Sequence, residues 1–142
     1  FRRVLFRSSD TQLAAIAAKS LKEVRYHVRH AGDWLVRFGD GTAESHQKAQ
    51  AALDHLMPYT QEFWSASDFE KSVVSKGIGV DVCSLREPWE TQLQTTLNEA
   101  TLQMPKTTGF ITTGKHQTHS EHLTYLLDEM QSLARRHPEG VW

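Results

Sequence analysis

The sequence predicts an all-α protein with a bundle-like arrangement of helices, and three observations carry that expectation. Apolar residues recur at helical spacing through most of the chain. The breaks between these runs hold glycine, proline and capping residues in the order that stops one helix and starts the next. Only residues 77–86 alternate as a strand would, through Ile78, Val80 and Val82, and no second run offers to pair with them. At 142 residues the chain is the size of one domain or a piece of one.

Residues 10–38 read as one long helix. Asp10 is placed as its N-cap, and Leu13, Ile16, Leu21, Val24, Val28, Leu35 and Phe38 recur along one face. At 1.5 Å per residue this helix is roughly 43 Å long. Gly39-Asp40-Gly41 stops it, and Thr42 is the next N-cap. A second helix is expected over residues 43–64, antiparallel to the first because the turn is short. Its inward face would be Ala49, Ala52, Leu53, Leu56, Tyr59, Thr60 and Phe63. Pro58 lacks an amide donor and clashes with the preceding turn, so a kink is expected over residues 54–57.

Ser67 or Asp68 caps a short helix over residues 69–76, ended by Gly77, and residues 77–86 form an ordered connection. Pro88 suits the first turn of a further helix, along which Trp89, Leu93, Leu97 and Ala100 share a face. A Thr- and Gly-rich connection, 105–114, comes next. Thr118-His119-Ser120-Glu121 has the form of a capping box with Thr118 as N-cap. The last helix then runs to Arg136, with His122, Leu126, Met130 and Leu133 on its apolar face and Pro138 closing it. No internal repeat and no low-complexity tract interrupts this series.

Composition excludes several classes. Sixteen basic against 17 acidic residues give a net charge of −1, which leaves no bulk positive charge for nucleic-acid binding. The longest apolar run, residues 13–18, falls far short of the roughly 20 residues of a membrane span. Cys83 is the single cysteine, so no intrachain disulfide forms and the expected location is the cytoplasm. The opening FRRVLFRSS carries Arg2, Arg3 and Arg7, shares no periodicity with the rest of the chain, and resembles a translated sequencing-adapter remnant. Residues 1–9 are therefore expected to be non-native, and residues 10–142 to be the C-terminal part of a longer bundle domain.

A bundle of long helices raises the possibility of a di-iron carboxylate centre. Such a centre takes Glu-x-x-His from each of two helices, because that spacing aims both ligands from one face. No glutamate here is followed by histidine three residues on; at Glu23 the position is held by Tyr26. Glu23 and His27 are one turn apart and form the best remaining metal pair, set against the plainer reading of a buried or half-buried polar pair. His116, His119 and His122 are evenly spaced, yet no thiolate or carboxylate completes a zinc set, and a solvated helix start accounts for them. Cys83 has no neighbouring histidine to activate it. Gly77-Ile78-Gly79 lacks the third glycine and the preceding strand of a phosphate loop. Trp34, Phe63, Trp64 and Trp89 read as core or interface anchors. Lys22, Arg25, Arg29 and Arg37 mark a wet face of the first helix, or a grip for an acidic partner or a phosphorylated cofactor tail.

The stretches QLAAIAAKSLKEVRYHVRHAGDWLVRFGDGT, EATLQMP and TGKHQTHSEHLTYLLDEMQSLARRHPEGVW resemble the C-terminal part of one family of phenylacetate-degradation proteins, the C component of bacterial ring-1,2-phenylacetyl-CoA epoxidases. The resemblance covers residues 10–142 and includes the terminal Trp142. It implies a ferritin-like bundle that pairs with the homologous catalytic A component. In that family the A component holds the di-iron centre, and a separate flavin and iron–sulfur reductase supplies electrons from NADPH. The C component is a non-catalytic structural member of the monooxygenase complex, in aerobic phenylacetate catabolism. No catalytic, cofactor-binding or metal-binding residue is then expected in this chain; phenylacetyl-CoA would meet the shared assembly. The missing N-terminal helices would leave an apolar seam of the first helix exposed, which predicts self-association. Two alternatives stay open: a divergent metal-binding oxygenase subunit using Glu23 and His27, and a CoA-thioester-binding module using Lys22, Arg25 and Arg29.

Overall fold

A computed structural model describes residues 8–106 and 113–141. All long elements are helical: α1 (Thr11–Gly39), α2 (Ala43–Leu56), α3 (Asp68–Ser75), α4 (Arg86–Glu99) and α5 (His122–Arg136). The chain divides into two compact units, Phe1–Ile111 with α1 to α4 and Thr112–Trp142 with α5.

In the first unit, local capping sets the helix ends. The Asp10 carboxylate accepts from the amides of Gln12 and Leu13, both at 3.0 Å. The two residues before it are tied across the unit: the Ser9 amide donates to the Gly77 carbonyl at 2.9 Å, and the Ser8 hydroxyl to that of Ile78 at 2.8 Å. Of the expected remnant 1–9, the stretch 1–7 lies outside the described residues. Thr42 caps α2 through a reciprocal box in which Ser45, rather than a glutamate, reaches back to the Thr42 amide at 3.0 Å. Ser67 and Glu70 form the corresponding box on α3.

The second helix is shorter than the spacing predicts. Past Leu56 the chain tightens into a 3₁₀ segment, Met57–Trp64, with Pro58 in its first turn. Proline cannot donate to the carbonyl four residues back, so the backbone gives up α-geometry there. Ala52 and Leu56, expected on the inward face, are already exposed within α2, and past Leu56 the tightening shifts that face: Met57 is buried, while Tyr59 and Phe63 are exposed. Residues 77–86 form turns and a 3₁₀ turn, Val82–Leu85, as an ordered connection should. On α4 the expected face holds, with Trp89 and Leu93 half-buried and Leu97 and Ala100 fully buried.

The core lies where α1, α2 and the end of α4 meet. Leu97, Ala100 and Leu102 form its buried centre, packed by Leu35, Val36, Ala49, Leu53, Leu93 and Met104. A Schellman motif brings the chain back into it: the Leu102 amide donates to the Leu97 carbonyl (2.9 Å) and the Thr101 amide to that of Asn98 (3.2 Å). Thr101 takes the left-handed conformation (φ 57°) that glycine normally supplies, and its hydroxyl donates to the Gly39 carbonyl at 3.2 Å. His46 donates from Nδ1 to the same carbonyl at 2.7 Å, which satisfies the C-terminal end of α1.

Gln50 closes the other side. Its amide donates from Nε2 to the Gln103 carbonyl (3.0 Å), and its Oε1 accepts from the Gln103 amide (2.9 Å). This two-way clasp joins positions 53 residues apart. Gln50→Leu removes both bonds together and is expected to cost about 1–3 kcal/mol of unfolding free energy. Gln47→Leu, on the same helix and exposed, is expected to stay within about 0.5 kcal/mol; urea unfolding of the two variants measures the difference.

In the second unit the capping box at Thr118 is not formed. Residues Gly114–His116 make a 3₁₀ turn and Gln117 adopts a left-handed conformation (φ 67°). Thr118 then pairs with Thr113 in an antiparallel bridge, so its backbone faces another partner. The helix starts later, at His122, with Glu121 as a cap that makes no side-chain bond. The apolar face expected on α5 is exposed throughout: His122 is exposed, and Leu126, Met130 and Leu133 are 55%, 71% and 56% exposed, while Leu123, Gln131 and Ser132 are the half-buried residues of the helix. Of the connection 105–114, residues 107–112 lie outside the described residues.

Candidate functional site

Glu23 and His27 lie one turn apart on α1, and both are exposed rather than buried. Among the described residues no group of three His, Cys, Asp or Glu side chains comes together as a metal site requires. A di-iron centre needs several carboxylates and histidines around one point, and this pair alone does not fit it. His116 sits in the 3₁₀ turn, His119 in the segment before α5 and His122 at its first residue.

The remaining candidates have structural partners. Cys83 is exposed; its amide is held by the Asp81 carboxylate at 3.0 Å and its Sγ lies 3.1 Å from the Trp64 carbonyl oxygen. Gly77-Ile78-Gly79 is the turn on which Ser8 and Ser9 dock, with Gly77 at φ 69°. Trp64 and Trp89 pack at 5.2 Å, and the buried indole nitrogen of Trp64 has no acceptor among the described residues.

Beside that pair an open cleft of about 580 Å³ is lined by Met57, Gln61, Trp89, Gln94, Asn98 and Met104, among others. Among the described residues its polar groups are chiefly side-chain amides and threonine hydroxyls, with Glu90 the one charged side chain of the lining. Among the described residues the lining offers neither a cation to hold a phosphate nor a nucleophile paired with a base.

What the first unit does present is surface. On α1 only Leu13, Ala14, Ala17, Leu21, Gly32, Leu35 and Val36 are half-buried and Gly39 buried. Ile16, Val24, Val28 and Phe38, expected on the inward face, are exposed. The basic residues Lys22, Arg25, Arg29 and Arg37 are exposed too, but two of them lie on rings: Arg29 is 5.8 Å from the Tyr26 centroid and Arg37 5.1 Å from that of Trp34. Trp34 read singly from the sequence hides a pattern: Tyr26, His30, Trp34 and Phe38 stand at successive i,i+4 positions, the spacing of a continuous aromatic row.

The chain is helical, leaves apolar side chains of α1 and α5 exposed, and brings together no group of three His, Cys, Asp or Glu side chains among its described residues. It belongs to the family described as phenylacetic acid catabolic protein, whose profile matches residues 2–142. A curated relative is the C subunit of the 1,2-phenylacetyl-CoA epoxidase of Escherichia coli (strain K12), 44% identical over 138 residues. The match takes in 97% of this chain and 56% of the relative, so the chain spans little more than half the relative's length. No described helix is long and apolar enough to cross a membrane.

Proposed function

We propose that the chain is a non-catalytic structural subunit of a cytoplasmic phenylacetyl-CoA 1,2-epoxidase, in which it stabilises a homologous di-iron catalytic subunit. The observation that carries this reading is the similarity to the C subunit of the epoxidase over 97% of this chain. Two features support it: the sequence has no Glu-x-x-His pair, and Glu23 and His27 stand without further ligands among the described residues. On this reading the helices are part of a ferritin-like bundle whose remaining helices lie in a longer native protein. The catalytic subunit packs on the apolar face of α5 around Leu126, Met130 and Leu133 and on the Val24–Val28 edge of α1. Fixed packing of this kind is what keeps metal ligands on neighbouring helices in register. The flavin, iron–sulfur and NADPH chemistry belongs to the reductase.

Two measurements test the proposal. The purified chain is expected to hold iron well below one atom per molecule after expression in iron-rich medium. Added to the iron-loaded catalytic subunit, it is expected to raise that subunit's Tm; a partner present at 100 times Kd contributes about 2.7 kcal/mol. Stoichiometric iron in this chain, or a catalytic subunit whose melting ignores it, would overturn the reading.

A further inference from the structure

We draw no further inference here: the strongest candidate, the open cleft between α4 and the 3₁₀ segment Met57–Trp64 that Gln61, Trp89, Gln94 and Asn98 line, carries none because nothing in the structure shows what covers it.

Discussion

Leu97→Ala should lower the unfolding free energy of the first unit by about 3–4 kcal/mol, within the range of fully buried leucine truncations. Leu97 is fully buried, and it is the largest side chain among the described residues of which that is true. It is held from both ends: α4 delivers it to the core, and the Schellman turn returns Leu102 onto it, with the Leu102 amide on the Leu97 carbonyl. Leu35, Val36, Ala49 and Leu53 reach the same point from α1 and α2. Truncation therefore opens space between three helices whose approach is fixed around them, and collapse into it is limited. For a unit near 100 residues, such a loss corresponds to a fall in Tm on the order of 15 °C. Thermal and urea unfolding followed by circular dichroism would show it, with Gln92→Ala on the exposed side of α4 changing by no more than about 0.5 kcal/mol. A Leu97→Ala chain that melts with the parent would mean that the α4 end is not the structural centre of the unit.

How much of the fold was legible depends on how local each determinant is. Asp10 and Thr42 cap the helices they were expected to cap, and Ser67, one of the two residues expected at the start of α3, caps that helix, because a cap is settled within three residues of sequence. The face of α4 was legible for a similar reason: one unbroken period runs from Trp89 to Ala100. Pro58 was readable as a disturbance, but not as a change of helix type. That change costs the register of everything after Leu56, which is why Met57 is buried and Tyr59 and Phe63 are not. Thr118 failed through a competing local partner: the left-handed turn at Gln117 pairs it with Thr113 before the helix begins. The want of Glu-x-x-His could be read directly. The aromatic row on α1 was obscured because His30, a polar residue, supplies one of its four rungs.

Alanine at Gly39 and alanine at Gly32 should move stability in opposite directions, although both glycines lie in α1. At Gly32 an added Cβ would meet only the Thr96 methyl, at an ordinary 3.7 Å. Gly32→Ala thus removes glycine's backbone entropy cost from a helix interior, and is expected to stabilise by about 0.8–1 kcal/mol. Gly39 is buried, and an added Cβ there collides with the carbonyl oxygen and the Cβ of Ala100. Ala100 is itself fully buried at the end of α4, and its amide is bound to the Thr96 carbonyl, so no side-chain rotation relieves the contact. The two helix ends must separate. Separation would also draw the Thr101 hydroxyl and His46 Nδ1 away from the Gly39 carbonyl, which both now bind. Steric displacement and loss of these bonds together are expected to cost about 3 kcal/mol or more. Urea titration of both variants decides the matter: destabilisation at both positions would mean that α1 tolerates no added methyl on its packed side, whereas stabilisation at both would mean that the α1–α4 approach at Gly39 is looser than its geometry requires.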